Sequence, residues 1–333
     1  MFINVRLASV VAVFAVLSQI ALAAPDSSNR DIRVPKDYHA PPLKRSDRLT
    51  SIVTDAVRQA IARKTNFKDT EIAATLIDLR EATKWHFGEF RGEDRIYPAS
   101  VVKLFYMAAL ERRLEDAEVT MTPELERGLR DMIVVSSNEA TQYILDVITE
   151  TSSGVELPQK EFEAWQAKRN RVNRWLAAMG YQNINANQKT FCEDAYGIEQ
   201  QSRNYKGQNR NMLTTDAVAR MLAEVVTGNI NTPERTAKMR ALLHRDPFTP
   251  NTDPDDQSHG FTGKLLIDRN MRDAQLWSKA GWTSRARHDA AYMETADGQK
   301  FVLVIFTEGH ATEADVIPTV AGKVLDALRA AGN

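Results

Sequence analysis

Residues 97–113 read YPASVVKLFYMAALERR, a long apolar run with a single charge inside it. Lys103 is the only charged residue among positions 101–110, and three charged residues follow directly. This pattern predicts a buried helix that ends at the surface. A buried lysine is unfavourable unless it is paired or neutral, and Ser100 would lie one turn before it on the same helix face. The spacing therefore places a hydroxyl beside an amine that burial shifts towards its neutral, basic form.

Two interpretations of this pair are open at this point. Ser100 can be a helix cap, with Lys103 extending its charged end to the solvent. Alternatively, Ser100 is a nucleophile that the neutral amine of Lys103 activates. The rest of the chain has to decide between them.

The first 23 residues have the pattern of a secretory signal peptide. Arg6 precedes an almost wholly apolar segment, and residues 21–23 offer a small-residue cleavage site. Residues 24–47 are polar and contain four prolines, which predicts a flexible linker. One domain is expected over residues 48–333. We therefore expect a secreted or periplasmic protein without a membrane anchor after cleavage.

The composition argues against several classes of protein. The chain has 333 residues, is 43% hydrophobic and carries a formal net charge of −1, which is typical of a globular protein and gives no reason to expect nucleic-acid binding. Cys192 is the only cysteine, so no internal disulfide can form. The six histidines lack metal-binding spacing, and no glycine-rich phosphate loop occurs. We expect a monomer with no metal and no cofactor.

Strand-like segments lie towards the two ends of the chain, and helical segments lie between them. Alternation and β-branched content predict strands at 72–79, 85–87, 276–280, 289–294 and 301–307. Apolar periodicity predicts helices at 52–61, 123–134, 138–149, 160–179, 215–226 and 313–331, with another starting near 232. Residues 244–270 read as a long polar connection. We predict an α+β fold, with an antiparallel sheet flanked by the N- and C-terminal helices and with a separate all-helical lobe.

Three short motifs occur in one order along the chain. They are Ser-x-x-Lys at Ser100–Lys103, Ser-x-Asn at Ser136–Asn138, and Lys-x-Gly at Lys279–Gly281. Each motif is weak by itself, but the set, with each motif in the expected type of element, is specific. Over residues 48–333 the chain resembles the serine β-lactamases and penicillin-binding proteins, most closely class A.

The resemblance implies roles for individual residues. Ser100 would attack a carbonyl, Lys103 would accept or relay its proton, and Ser136 would pass a proton to the leaving nitrogen. The residues implied in substrate binding are Asn138, Lys279, Gly281 and Trp282. The backbone N–H groups of Ser100 and Trp282 would form the oxyanion hole.

The chain departs from the class A pattern at several positions. Ser137 replaces an aspartate, and Ala280 replaces a hydroxyl residue. Glu199 stands where the family has the glutamate that activates water for deacylation, but Arg203 replaces the asparagine expected after it. Glu193 is a weaker candidate for that base.

We therefore expect an exported serine hydrolase that forms an acyl-enzyme with β-lactams, that is, a β-lactamase. One alternative is a D-alanyl-D-alanine peptidase or penicillin-binding protein that deacylates slowly and acts on peptidoglycan-type peptides. Another is a non-catalytic binding protein with the same fold.

Overall fold

The computed structural model describes residues 31–191 and 193–330. Within this part, the helices are bounded as follows: α1 Asp47–Ile61, α2 Lys103–Glu115, α3 Pro123–Ile133, α4 Asn138–Thr149, α5 Gln159–Arg169, α6 Arg171–Ala178, α7 Ile198–Arg203, α8 Thr215–Thr227, α9 Pro233–Leu243, α10 Thr262–Asp268 and α11 Val316–Ala330. The strands are β1 Leu43–Arg45, β2 Ile72–Asp78, β3 Trp85–Phe90, β4 His244–Arg245, β5 Gln275–Trp282, β6 Ala286–Glu294 and β7 Lys300–Glu308. No helix in the described residues is both long and apolar enough to cross a membrane.

The strands form one sheet in the order β1-β3-β2-β7-β6-β5-β4. All neighbours pair antiparallel except β1 and β3, which are parallel. Both faces of the central strands are covered. Along β7, Val302 and Val304 pack in the core shared with α2 and α8, whereas Leu303 and Ile305 pack in the core shared with α1 and α11. This period of two places a helical layer on each face, and the predicted α+β class is confirmed.

Some predicted boundaries were wrong. The expected helix over 160–179 is two helices separated at Asn170, whose side chain accepts hydrogen bonds from Asn173 (2.7 Å) and Asn187 (3.1 Å). Asparagine favours such local bonds over helix continuation. The connection at 244–270 contains β4 and α10. The strand predicted at 85–87 continues through Gly88, where a side chain would collide with the backbone of α1.

Within the predicted linker, residues 31–47 make several contacts with the rest of the chain. Ile32 is buried, and the Tyr38 hydroxyl donates to the carboxylate of Glu224 at 2.8 Å. β1 adds a parallel strand to β3. Residues 1–30, which include the predicted signal peptide, lie outside the described part.

Candidate active site

Ser100 and Lys103 meet at a short 3-10 turn that leads into α2. The turn covers Ala99–Val102, and the Lys103 N–H donates to the Ser100 carbonyl. Side chains three apart are eclipsed in this geometry, so both project to one side. Ala99 has a φ of +47°, a left-handed conformation that is uncommon for a side-chain-bearing residue and concentrates at functional sites. Ser100 is half-buried, whereas Lys103 is fully buried.

Two contacts from the sheet hold this turn in place. A Cβ on Gly281 would lie only 3.2 Å from the Ser100 nitrogen and 2.8 Å from the Pro98 carbonyl oxygen, so glycine is needed for the close approach. His288 Nδ1 accepts from the Thr307 N–H (3.1 Å), and its Nε2 therefore donates to the carbonyl of Tyr97 (2.9 Å). Burial lowers the pKa of His288 to about 4, which keeps the ring neutral.

The connection between α3 and α4 supplies the acceptors for Lys103. Its Nζ donates to the Ser136 carbonyl (2.5 Å), to Asn138 Oδ1 (2.9 Å) and to Ser136 Oγ (3.2 Å). Ser136 has a φ of +60°. Ser137 caps the N-terminus of α4, and its Oγ accepts from the Ala140 N–H at 3.0 Å. Serine and aspartate cap helices equally well, which explains how the chain accommodates this departure from class A.

Lys279 approaches the same hydroxyl from the opposite wall of the site. Its Nζ donates to Ser136 Oγ at 3.0 Å, so this oxygen lies between two amines. Lys279 is fully buried. Burial, together with the charges of Lys103 and Arg245, holds the pKa of Lys279 well below its usual range. The arrangement is suited to moving a proton through Ser136.

The outer edge of β5 is adjacent to the turn that carries Ser100. The Ala280 N–H donates away from β6, to the side chain of Gln257, so the pair of Ala280 with Asp289 is a non-hydrogen-bonded pair. Hydrogen-bonded and non-hydrogen-bonded pairs alternate along the strands, so the pair of Trp282 with Arg287, two residues further on, is also non-hydrogen-bonded. Its N–H therefore also points away from β6. The Trp282 side chain is 51% exposed.

The Glu199 carboxylate bonds to residues outside the three motifs. Its carboxylate accepts two hydrogen bonds from Arg169 (2.7 and 2.8 Å) and one from Ser153 (2.9 Å), and lies 3.3 Å from Lys189 Nζ. Burial opposes ionisation, but Arg169 and Lys189 outweigh it and lower the pKa of Glu199. The carboxylate is thus ionised inside a cluster of cations. Glu193 is exposed.

Two residues that the sequence interpretation missed lie beside Lys279. Gln257 Oε1 accepts from Lys279 Nζ at 2.5 Å, and Arg245 donates to the carbonyls of Ile133 (3.1 Å) and Ser278 (2.9 Å). Both belong to the polar segment 244–270, where no periodicity marks a contact with the site. Among the described residues, no group of three or more acidic, histidine or cysteine side chains is arranged to hold a metal ion.

Solved structures with this architecture include β-lactamases and a penicillin-binding protein. A β-lactamase from Sphaerobacter thermophilus is 19% identical, with a TM-score of 0.59 over 84% of this chain and 98% of its own. A class A β-lactamase from Bacteroides cellulosilyticus is 13% identical, with a TM-score of 0.57 over 84% and 98%. A variant of PBP-A, solved as an acyl-enzyme complex with penicillin G, is 15% identical, with a TM-score of 0.60 over 87% and 99%. These likenesses define the fold.

The family follows from the sequence itself. Residues 118–328, more than half of the chain, match the β-lactamase enzyme family. The chain therefore belongs to the β-lactamase enzyme family, and its fold is shared with class A β-lactamases. The match includes Ser136–Asn138 and Lys279–Gly281, and begins after Ser100. No curated protein matches the sequence.

Proposed function

We propose that β-lactams acylate this enzyme at Ser100 and that the acyl-enzyme hydrolyses slowly. The observation that carries the proposal is the position of Ser136 Oγ, 3.2 Å from Lys103 Nζ and 3.0 Å from Lys279 Nζ. Ser100 lies one 3-10 turn before Lys103. A nucleophile, a proton acceptor and a proton relay are therefore next to each other.

The reaction follows from these positions. In its neutral form, Lys103 keeps two N–H donors and one lone pair, and this lone pair takes the Ser100 proton as the Ser100 oxygen attacks the lactam carbonyl. The Ser100 and Trp282 N–H groups would stabilise the resulting oxyanion. When the carbon–nitrogen bond breaks, Ser136 donates its proton to the leaving nitrogen and is reprotonated from Lys103 or Lys279. Asn138 would hold the substrate's amide beside Lys103.

Slow deacylation is proposed because of the surroundings of Glu199. A general base must take a proton from water, and although burial opposes ionisation, Arg169 and Lys189 lower the pKa of Glu199 and make its carboxylate a weaker base. This observation favours a second candidate, a D-alanyl-D-alanine peptidase or penicillin-binding protein acting on peptidoglycan-type peptides. Because the chain belongs to an enzyme family, the non-catalytic alternative is not retained.

Labelling with a fluorescent penicillin, together with turnover of a chromogenic cephalosporin, tests the proposal. The parent should gain one covalent adduct by intact mass, with colour developing slowly. Ser100→Ala should abolish the adduct and keep the parent's melting temperature, while the exposed control Ser51→Ala should label normally. An adduct that survives Ser100→Ala would exclude Ser100 as the nucleophile, and rapid cephalosporin turnover would exclude slow deacylation.

Export is a separate proposal that rests on residues 1–23. Sequencing the N-terminus of the protein recovered outside the cytoplasm should give a start near residue 24. An intact N-terminus in that fraction would contradict cleavage.

A further inference from the structure

Gln257 bridges the two walls of the candidate active site. Its Oε1 accepts from Lys279 Nζ (2.5 Å) and from the Ala280 N–H (3.2 Å), both on β5. Its Nε2 donates to the carbonyls of Ile133 (3.0 Å) and Val134 (2.8 Å), where α3 ends. Two donors face the oxygen and two acceptors face the nitrogen, so only one orientation of this amide satisfies all four partners.

Lys279 has no donor left over in this arrangement. A lysine amine carries at most three N–H donors, and Lys279 Nζ lies within hydrogen-bond distance of three acceptors, Ser136 Oγ (3.0 Å), Gln257 Oε1 (2.5 Å) and the Ala280 carbonyl (2.8 Å). The side chain is also completely covered. A substrate carboxylate can therefore bond to Lys279 only after one of these acceptors has moved away.

Gln257 is the acceptor that can leave most easily. The Ala280 carbonyl is part of β5, and Ser136 is held by its bonds to Lys103. Gln257 lies on a connecting segment and is half-buried, so a side-chain rotation that gives up its hydrogen bonds can release Lys279 without moving the backbone. A carboxylate that takes its place forms a charge-assisted bond, which is about twice as strong as one to a neutral amide.

We propose that Gln257 is an internal ligand of Lys279 that a substrate carboxylate must displace, so that Gln257 sets the preference between anionic and neutral substrates. The inference rests on the proposed function. Ala280 strengthens it, because an alanine at this position has no hydroxyl to offer the carboxylate a second anchor. Gln257 acts through Lys279, and is thus a specificity-determining residue.

The test compares acylation by benzylpenicillin with acylation by its methyl ester, which lacks the charge. Gln257→Ala should raise the ratio of the two second-order rate constants by about tenfold, the effect of about one charge-assisted bond. Gln257→Glu, which leaves an anion on Lys279, should lower the ratio below that of the parent. Gln257→Asn, too short to span both walls, should resemble Gln257→Ala. The exposed control Gln159→Ala should keep the parent's ratio.

Equal loss of both rates in Gln257→Ala would show that Gln257 merely positions Lys279, and an unchanged ratio would show that it has no role. Either result overturns the proposal. Melting temperatures establish that each variant is folded.

A binding experiment separates this inference from the proposed function. In a Ser100→Ala background, calorimetry compares N-acetyl-D-alanyl-D-alanine with its C-terminal amide. Tighter binding of the carboxylate form after Gln257→Ala supports the inference even if the parent is never acylated by a β-lactam. Equal binding of the two peptides, or binding of neither, in every variant overturns it.

Discussion

At the scale of single residues, the site depends on two side-chain-bearing residues in the left-handed region. Ala99 (φ +47°) precedes Ser100, and Ser136 (φ +60°) carries the bridging hydroxyl. Such conformations cost about 1–3 kcal/mol each and persist only where surrounding contacts impose them. For Ser136 those contacts are two amines, with both its carbonyl and its hydroxyl facing Lys103. The left-handed conformation of Ser136 thus directs its carbonyl and its hydroxyl towards Lys103, on the proposed proton path.

Lys103→Met is expected to separate catalysis from stability. Acylation should fall by a factor of about 100 or more, the range for loss of a general base. The melting temperature should not fall, because the substitution removes the desolvation cost of a fully buried amine. Labelling rates by intact mass and calorimetric melting check the two parts. A lower melting temperature would show that the hydrogen bonds of Lys103 outweigh its burial.

At the scale of elements, buried charges join α4, α5 and the chain around α7. Arg169, at the end of α5, contacts Asp146 on α4 (3.2 Å) and Glu199 on α7 (2.7 Å), and Lys189 contacts the same two carboxylates. Arg169, Lys189 and Glu199 are all almost fully buried. This cluster fixes the segment in which a deacylating base was expected.

Glu199→Ala should therefore act on stability more than on turnover. It removes one of the two carboxylates that Arg169 and Lys189 share and leaves Asp146 facing two buried cations, which should lower the free energy of unfolding by about 3 kcal/mol. Urea denaturation measures this loss. At a temperature where the variant is folded, the lifetime of the acyl-enzyme should match that of the parent.

The exposed Glu193→Ala serves as the matched control and should change stability little. A stable Glu199→Ala protein that traps the adduct would instead identify Glu199 as the base. A trapped adduct in Glu193→Ala would move that role to Glu193.

At the scale of the whole molecule, the sheet is covered on both faces, and this cover buries titratable groups. Burial lowers the pKa of His288 to about 4. Burial also raises the pKa of Asp216, at the start of α8, to about 6. The hydrogen bond from Thr75 lowers this pKa, whereas the negative charge of Glu89 raises it. The two shifts have opposite effects on stability in mildly acidic solution.

The pH dependence of stability should reveal His288. Its pKa is about 4 in the folded state and 6.5 ordinarily, so between these values only the unfolded chain binds the proton, and stability falls as pH falls. The full effect is about 3 kcal/mol. His288→Gln should flatten the decline of the unfolding free energy between pH 6.5 and 4, measured by urea denaturation.

Two variants serve as comparisons for this measurement. The exposed His39→Gln should keep the parent's slope. Asp216→Asn should steepen it, because Asp216 binds its proton more tightly in the folded state between about pH 4 and 6. If the unfolding free energy of His288→Gln declines with falling pH as steeply as that of the parent, the assignment to His288 is refuted.

The sequence alone determined the type of most elements and the candidate site's first members. Apolar periodicity depends on local side-chain placement, so β2, α4 and α8 could be predicted to within a residue or two. Ser100 and Lys103 are three residues apart, and local backbone geometry brings them to the same side. Tertiary structure alone decided that Gln257 bonds to Lys279, that Ser136 lies between two lysines, and that Glu199 bonds to Arg169. These contacts join residues 22 to 143 positions apart, and one partner in each contact lies in a segment with no periodic pattern, whose path only tertiary packing selects.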